Sequence, residues 1–462
     1  MDLPVVNDVI SVYDTSQVPT LDEDVRHHLI QFGEPEVVAG ETIGDRRDRL
    51  IAKAQELDYH FVDGDVVMAD EEEDAEEEDY YTPGNKSLVD VRNRILQSSL
   101  PQAKVRVERE YAHYQQETTH PVQLLKFRRS LTSHLKSLAI AGTASITGNT
   151  RAISVTRYSP SNELIACGSW NGCVYIMDPQ NLQVKHQSVP GHHSEKVSGL
   201  SWLDSQRLIT GGGEGKLNLW KVGEEYLHPS TTIEAHENRI TKVVVHPHIK
   251  EYVMSASSDH TWKLFDITKQ EELCAFEGHS REVYGLGCHP DGSVVASGGL
   301  DGITRWWDLR SGRNIITVHG HASGVYSLDF SPFNSLVATA SGDGTVKIWD
   351  MRRLDAKNQE LATIPAHTKL VSDVKWYYGK LPKPQTFTDE NDENPTTFSA
   401  EGKFLVSGSY DWTVGVHNAD SWIKVASLEG HTDKVMSVDI ATDGGKLISA
   451  GWDRTIKMWQ VD

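Results

Sequence analysis

The chain has 462 residues, 38% of them hydrophobic, and a formal net charge of −21. This length allows two or three ordinary domains, or one large β domain with extensions. No apolar run approaches the length of a membrane span, and the start, MDLPVVNDVI, lacks the basic and apolar regions of a signal peptide. The four cysteines show no CxxC spacing, which favours reduced thiols in a cytosolic or nuclear protein over a disulfide or zinc framework.

The first predicted element is a short amphipathic helix. Leu21, Val25 and Leu29 recur at four-residue steps, and Thr20 is a suitable N-cap. The sequence FGEP then ends the helix, because glycine and proline interrupt it. We interpret this stretch as the first half of a small helical module.

A second short helix is predicted to begin at Asp45, in GDRRDRL, with Leu50, Ile51 and Ala54 facing one way. Two such short helices cannot bury enough apolar surface to be stable alone, so we expect the pair to bind a partner. The residues expected at that contact are Leu21, Val25, Leu29, Arg46, Arg47 and Leu50.

Charge is distributed unevenly along the chain. Residues 1–83 carry 24 acidic and 5 basic side chains, and nine of the ten residues from Asp70 to Asp79 are acidic. Such a run cannot bury apolar area, so we predict a solvated linker over 61–84. An acidic segment that binds a partner is the alternative.

The next stretch is basic. Residues 84–138 carry 10 basic and 4 acidic side chains, and apolar residues recur at helical spacing in PVQLLKFRRSLTSHLKSL, where Pro121 suits a first turn. Because apolar positions are too few for an independent core, we predict that 85–136 forms extended helices lying across another part of the protein. KFRR is either a solvated face or a fragment of a nuclear-import signal.

From about residue 150 the sequence repeats itself. GHSREVYGLGCHPDGSVVASGGLDGITRWWDLR (278–310) and GHASGVYSLDFSPFNSLVATASGDGTVKIWDMR (320–352) share Gly-His, a valine four residues later, a Pro-containing turn, Asp-Gly and Trp-Asp. The distance from the histidine to the turn aspartate is 22 residues in both. These units resemble the WD-repeat family, in which units of about 40 residues form four-stranded propeller blades.

Seven turn positions can be recognised, so the resemblance implies a mainly β, seven-bladed propeller over 137–462. These positions are Asn171, Glu214, Asp259, Asp301, Asp343, Asp411 and Asp453. The sixth unit contains an insertion from about Gly379 to Gly402. The last strand-like stretch, KMWQVD, is the third strand of the seventh blade, and we expect the fourth to come from KSLAIAGTAS (136–145), which would leave no open sheet edge.

In this family a buried chain of hydrogen bonds links the Gly-His histidine, a strand hydroxyl, the turn aspartate and a tryptophan indole. The hydroxyl is expected four residues before the aspartate and the tryptophan six after it. Three repeats hold the full set: His279, Ser297, Asp301 and Trp307; His321, Thr339, Asp343 and Trp349; His431, Ser449, Asp453 and Trp459. Departures are Phe265 and His417 in the tryptophan position, Glu214 in the aspartate position, and a first repeat with Cys167, Asn171 and Met177 but no Gly-His.

A catalytic Ser-His-Asp interpretation fails because the same set recurs around a ring, and no enzyme needs several copies. GGGEGK (211–216) lacks the Lys-Ser/Thr and the helix of a phosphate-binding loop. We therefore expect no catalytic, cofactor-binding or metal-ligating residues.

The residue before each turn aspartate is expected on the rim of the propeller face that carries the Gly-His loops. Three of these are aromatic, Trp170, Tyr410 and Trp452, and they fall in the neighbouring blades one, six and seven. Lys369 and Lys434 add positive charge in the adjacent loops. Clustered aromatic residues are typical of interfaces; the alternative is packing within the face.

DEDVRHHLIQFGEPEVVAGETIGDRRDRL is similar to the splicing-factor motif, in which a short helix, Gly-Glu-Pro, a hydrophobic loop and Asp-Arg-Arg-x-Arg-Leu follow one another. With the basic helices and the propeller, it resembles the WD-repeat pre-mRNA-processing factor family of the U4/U6 small nuclear ribonucleoprotein (snRNP). The resemblance implies four parts: a helical module (1–60), an acidic linker (61–84), a basic helical arm (85–136) and the propeller (137–462).

What this family resemblance implies is a nuclear, non-enzymatic scaffold of the U4/U6 snRNP and the U4/U6.U5 tri-snRNP. Its implied partners are the large U4/U6-specific protein numbered three, in many species a cyclophilin, and U4/U6 snRNA contacted directly or indirectly, with no membrane and no small-molecule substrate. A rival is a substrate receptor of a cullin ubiquitin ligase, because WDLR (307–310) and WDMR (349–352) match the Trp-Asp-x-Arg pattern of such receptors. That rival leaves the front module unexplained.

Overall fold

The computed structural model describes residues 19, 22–35, 38, 41–56, 86–147, 149–223, 226–353, 360–379, 386–387 and 396–461. The acidic run from Asp70 to Asp79, with Thr20 and Leu21, lies outside the described residues. The chain forms two compact units, one containing the front helices together with Glu277–Ser280 and the other containing the remainder from Gly84 onward. No helix in the described part of the chain is long and apolar enough to cross a membrane.

Two helices form in the front unit, α1 (Asp22–Gln31) and α2 (Ile43–Glu56). Gly33 follows α1 with φ at +75°, a backbone conformation that glycine adopts without steric cost. The second helix begins two residues before the predicted Asp45. The reason is that Thr42 caps it, accepting from the Asp45 amide at 3.2 Å while the Asp45 carboxylate accepts from the Thr42 amide at 3.0 Å.

Two further helices form in the larger unit, α3 (Lys86–Thr119) and α4 (Pro121–Lys136). Pro121 lies in the first turn of α4, where its missing N–H costs no hydrogen bond. Pro101 lies inside α3.

Seven blades follow, as the repeat predicted: six are sheets of four antiparallel strands, and one has a fifth strand in addition. The first strand, β1 (Leu138–Ser145), belongs to the seventh sheet. Blade one contains β2 (Ile153–Tyr158), β3 (Ile165–Ser169), β4 (Val174–Met177) and β5 (Val184–Ser188). Blade two contains β6 (Val197–Trp202), β7 (Arg207–Gly212), β8 (Lys216–Lys221) and β10 (Pro229–Glu234), and the short β9 (Tyr226–Leu227) adds a parallel fifth strand to blade one.

The next blades follow the same order from the inner to the outer strand. Blade three contains β11 (Ile240–Val245), β12 (Tyr252–Ser257), β13 (Trp262–Asp266) and β14 (Glu271–Phe276). Blade four contains β15 (Val283–Cys288), β16 (Val294–Gly299), β17 (Ile303–Asp308) and β18 (Arg313–His319). Blade five contains β19 (Val325–Phe330), β20 (Leu336–Ser341), β21 (Val346–Asp350) and β22 (Glu360–Ile364).

Blade six carries the insertion. It contains β23 (Val371–Trp376), β26 (Phe404–Ser409), β27 (Thr413–Asn418) and β28 (Lys424–Glu429), and within the insertion β24 (Thr386–Phe387) pairs with β25 (Thr396–Thr397). Blade seven contains β29 (Val435–Ile440), β30 (Lys446–Gly451), β31 (Thr455–Val461) and β1. The second and third strands of the blades are almost wholly buried, so their side chains form the cores between neighbouring blades.

The ring closes through β1, which pairs antiparallel with β31 from Leu138 opposite Val461 to Ser145 opposite Thr455. The predicted closure by an N-terminal strand is therefore confirmed. The pairing covers the backbone edge that β31 would otherwise expose.

Both helices of the arm pack against the propeller, on the face opposite the Gly-His loops. In α4, Leu124, Phe127, Leu131 and Leu135 are buried in one cluster with residues of blades six and seven, and the Phe127 and Phe398 rings lie 5.6 Å apart. Along α3, basic and acidic side chains pair with turns of the propeller. These pairs are Arg94–Glu251 (2.6 Å), Arg106–Asp291 (2.9 Å), Arg109–Glu401 (3.7 Å), Glu110–Arg352 (3.1 Å) and Glu117–Lys403 (2.7 Å).

Candidate functional site

The buried hydrogen-bond chain is complete in blade five. The Trp349 indole donates to Thr339 Oγ1 at 2.7 Å, the Thr339 hydroxyl lies 2.7 Å from His321 Nε2, and His321 Nδ1 lies 3.0 Å from Asp343. In the order that uses every donor, the indole donates to the hydroxyl, the hydroxyl donates to His321 Nε2, and His321 Nδ1–H donates to the carboxylate. Each polar atom is thereby satisfied inside the blade.

Asp343 ends this chain and also shapes the turn. It accepts from the Thr345 amide at 2.9 Å and the Thr345 hydroxyl at 2.7 Å. Burial opposes ionisation of this carboxyl, but the hydrogen bonds from His321 and Thr345 outweigh it and hold its pKa well below the usual range. The carboxylate therefore stays ionised as a fixed acceptor.

Other blades repeat the geometry. In blade seven, Trp459 donates to Ser449 at 2.9 Å, and His431 contacts Ser449 at 2.7 Å and Asp453 at 2.8 Å. Blade two uses Trp220, Thr210, His193 and Glu214 in the same connectivity. Blade three has His236 in contact with Ser255 and Asp259, with Phe265 where the indole would be.

Blade six shows how a different residue can take the tryptophan position. His417 Nε2 lies 2.8 Å from the Ser407 hydroxyl, which also contacts His367 Nε2 at 2.8 Å. Burial lowers the pKa of His417 to about 3, so the ring is neutral, and its Nε2–H tautomer would replace the indole N–H as the donor to Ser407. Asp411 completes the chain, 2.9 Å from His367.

In blade four, Trp307 donates to Ser297 at 2.8 Å, Asp301 accepts from the Ile303 amide at 3.0 Å, and His279 is buried. Blade one has no such chain: Cys167 packs 3.8 Å from the Met177 sulfur, and Asn171 shapes the turn by accepting from the Cys173 amide. The serine or threonine, histidine and aspartate residues that resemble a catalytic triad thus stabilise the blades that contain them. Among the described residues, no group of His, Cys, Asp or Glu has the arrangement of a metal site.

A second polar cluster crosses the centre of the ring. Asp373 in β23 accepts from Arg157 at 3.0 Å, Lys242 at 3.2 Å, Ser327 at 2.7 Å and Ser437 at 3.0 Å. These partners come from the inner strands of blades one, three, five and seven. Burial lowers the pKa of Lys242 to about 8, and Asp373 acts against that shift. The repeat pattern does not reveal this cluster, because the inner-strand position that Asp373 shares with Lys242, Ser327 and Ser437 carries no fixed residue type from blade to blade.

The predicted rim residues do lie together. The rings of Trp170 and Trp452 are 5.2 Å apart in an edge-to-face arrangement, and Lys434 Nζ lies 4.9 Å from the Trp452 ring and 5.1 Å from the Tyr410 ring. Trp452 is 37% exposed. Lys369 instead lies over Trp412, which is 48% exposed and was not singled out in the sequence.

Trp170, Tyr410 and Trp452 line a cavity of about 230 Å³ at the mouth of the central channel. Each inner strand contributes to its wall the residue that follows the first buried aliphatic residue. Those residues are Ser154, Ser198, Thr241, Tyr284, Tyr326, Ser372 and Met436. Lys196 also lines the cavity, over Trp170 at 4.9 Å, and Trp170 Nε1 is buried without a hydrogen-bond partner in the described structure. Aligning the start of each inner strand would have identified Tyr284 and Tyr326.

The front module requires a correction. Val25, Leu29 and Leu50 are buried with Ala54 in a cluster between α1 and α2, and Arg46 is buried in an ion pair with Asp22. They form the core of the module and are not available as a contact surface. The sequence predicts that these apolar residues are buried against a partner, whereas in the structure the two helices bury them against each other.

The other two contact candidates in this module are Arg47, which the structure describes, and Leu21, which it does not. Arg47 donates to the Pro19 carbonyl at 3.0 Å, and Leu21 lies outside the described residues. Ile30 and Val38, 56% and 44% exposed, are the large apolar side chains that the described part of this module presents to solvent.

The fold and its hydrogen-bond chains define a seven-bladed WD-repeat propeller protein. In agreement, the family described as "WD domain, G-beta repeat" matches residues 142–178, 183–221, 227–266, 270–308, 312–350 and 422–460. The matches omit the stretch that includes most of blade six, where the insertion and His417 depart from the pattern.

Comparison along the whole chain is more specific. The sequence is 36% identical to "U4/U6 small nuclear ribonucleoprotein PRP4" of Saccharomyces cerevisiae, over 96% of this chain and 91% of the yeast protein. It is 34% identical to an uncharacterised WD repeat-containing protein of Schizosaccharomyces pombe over 52% of both chains. It is 30% identical to pre-mRNA-processing factor 19 of Caenorhabditis elegans over 69% of this chain and 59% of that protein. The chain belongs to the WD-repeat family and, within it, to the family of U4/U6 small nuclear ribonucleoprotein PRP4.

Proposed function

We propose that this chain is a non-catalytic scaffold of the U4/U6 snRNP and the U4/U6.U5 tri-snRNP, acting in pre-mRNA splicing in the nucleus. The observation that carries the proposal is the extent of the likeness to the yeast U4/U6 protein, which covers 96% of this chain. It includes the front helices and the arm as well as the propeller. A likeness confined to WD repeats would say little, because propellers serve many functions.

The proposal assigns roles to four parts. The module (1–60) and the arm (85–136) hold protein partners, the acidic segment (61–84) is a tether, and the propeller (137–462) presents its Gly-His face. The partners are the large U4/U6-specific protein numbered three, a cyclophilin, and U4/U6 snRNA reached directly or through them. No cofactor, metal or membrane takes part.

On the propeller, the contact surface of this proposal is the rim defined by Trp170, Tyr410 and Trp452 with Lys434. Exposed aromatic side chains beside cations supply large contact area and retain hydrogen-bonding groups, as in protein interfaces generally. Lys434 stacks on two of these rings, so charge and aromatic surface reach the same partner group.

The rival function, a cullin-ligase substrate receptor, rests on the two Trp-Asp-x-Arg sequences. Arg310 bonds to Asp308 at 3.0 Å, and Arg352 contacts Glu110 of α3 at 3.1 Å. The arm thus engages one of the two arginines that such a receptor would use for its adaptor.

The test is affinity purification of the tagged full-length chain from nuclear extract, with RNA sequencing and mass spectrometry of the eluate. The proposal expects U4 and U6 snRNA enriched together with U4/U6 proteins. Recovery of a cullin adaptor without these snRNAs would overturn it in favour of the rival.

A further inference from the structure

The long helix α3 carries an apolar stripe on its outer side that no other described part of the chain covers. Val89, Leu96, Leu100, Val107, Tyr111 and Tyr114 are between 37% and 67% exposed. From Val89 to Val107 the spacings of seven, four and seven residues follow the pattern of a coiled-coil seam, and Tyr111 and Tyr114 continue the stripe on the same side of the helix. The skipped seam positions hold Asn93 and Ala103.

The inner side of the same helix is already occupied. Val91 and Ile95 are buried, and Arg106 is held by Asp291 at 2.9 Å. At 3.6 residues per turn these residues and the stripe lie on different sides of the helix. Packing on the propeller therefore does not explain the stripe.

Size and charge indicate what covers it. Aromatic side chains bury roughly 150–250 Å² each and aliphatic ones less, so six side chains that are about half exposed present on the order of several hundred Å² of surface, within the range of the largest patch on a typical monomer. Between Gln97 and Tyr114 the exposed charges on the solvent side are Lys104 and Glu108, which lie 3.9 Å apart. The arginines of α3 named above instead face the propeller.

A nearly uncharged apolar seam fits a protein helix and not an RNA backbone, since binding to phosphates needs clustered cations. A parallel pairing of two copies is disfavoured, because the nine-carboxylate run Asp70–Asp79 ends seven residues before α3 begins.

We propose that this apolar stripe is the docking surface for one amphipathic helix of another protein, whose own apolar residues repeat at alternating spacings of three and four. Such a helix would lie along α3 and bury the stripe by knobs-into-holes packing. The arm then serves as an adaptor, bound to the propeller by its charged side and to the partner by its apolar side. This inference rests on the partner-holding role that the proposed function gives to the arm and names the chemistry of that partner. It does not require snRNA to be bound.

The experiment places the photo-crosslinking residue p-benzoylphenylalanine at Leu100, at Val107 or at Val105 in the tagged full-length chain, expressed in its own cells. Val105 is the matched control, because it is 57% exposed on the same helix but lies off the stripe. Irradiation is followed by mass spectrometry of the crosslinked peptides. A parallel binding assay compares the double variant Leu100→Asp/Val107→Asp with the control variant Val105→Asp.

The proposal expects crosslinks from Leu100 and Val107 to one segment of one other protein, at points about seven residues apart, and at least tenfold fewer from Val105. The double variant should lose that protein at least tenfold with an unchanged melting temperature. Equal crosslinking from Val105, adducts to RNA, adducts to a second copy or to the chain's own front helices, or scattered attachment points would each overturn it.

Discussion

At the scale of single residues, the repeated positions solve one problem, which is how polar side chains can be buried in every blade. Asp343 receives hydrogen bonds from His321, from the Thr345 amide and from the Thr345 hydroxyl. Asn171 in blade one holds the same turn position and accepts from the Cys173 amide, but no described histidine hydrogen-bonds to its side chain. Blade one packs Cys167 and Met177 where most other blades place a hydroxyl and an indole. The two sites therefore differ in how many buried groups depend on the turn residue.

Asp343→Ala is expected to lower the free energy of unfolding by about 1–3 kcal/mol, because His321 and Thr345 lose their acceptor inside the blade. Asn171→Ala, the matched control, should cost less, since no imidazole depends on Asn171. Urea unfolding followed by circular dichroism measures both. Equal losses in the two variants would contradict the role given to the chain.

The turn carboxylates also predict a pH dependence. For Asp343, Asp411 and Asp453, burial opposes ionisation but hydrogen bonds from histidine and threonine lower the pKa below its usual value. A carboxyl whose pKa is lower in the folded state stabilises the fold above the unfolded pKa of about 4, and this stabilisation is lost as pH falls through the lowered values.

We therefore expect the free energy of unfolding of the wild type to fall more steeply between about pH 4 and pH 2 than that of Asp343→Asn, which lacks one of these carboxyls. Urea titrations at half-unit pH intervals give both curves. Parallel curves over this window would show that Asp343 does not contribute in this way.

At the scale of elements, a strand count was enough to predict β1. The repeat left blade seven one strand short, and LAIAGTAS was the apolar, strand-like stretch upstream. The packing of α3 was less accessible, because helical spacing shows which side chains share a face but not what covers it. The pair Arg106–Asp291 joins residues 185 positions apart that no repeat relates.

Removing β1 should therefore be costly. A 150–462 fragment exposes the edge of β31 and is expected to aggregate or to melt without cooperativity, whereas a 121–462 fragment, which keeps α4 and β1, should stay soluble and fold. Size-exclusion chromatography and thermal melts compare the two. A soluble 150–462 fragment that melts cooperatively would refute the closure argument.

At the scale of the whole molecule, periodicity predicted the ring but not what crosses it. Asp373 joins inner strands that are sequentially remote, and its partners Arg157 and Lys242 lie in different blades. In the front module, the spacing of Val25 and Leu29 predicted a helix correctly but not that α2 would cover them. The rim was more predictable, because the repeat fixes the position before each turn aspartate. From that position the sequence predicted that Trp170 lies near Trp452.

If the repeated residues maintain the propeller while the aromatic rim binds the partner, substitutions at the rim should reduce binding without reducing stability. The most direct test purifies three proteins from nuclear extract: the wild type, the double variant Trp452→Ala/Tyr410→Ala, and Trp412→Ala as an exposed aromatic control. Recovery of U4/U6 proteins and snRNA is measured for each, together with its melting temperature. We expect the double variant to recover these components more than tenfold less than the wild type while its melting temperature stays within about 2 °C, because both replaced side chains are partly exposed. Wild-type recovery by the double variant, or a loss accompanied by unfolding, would contradict the claim.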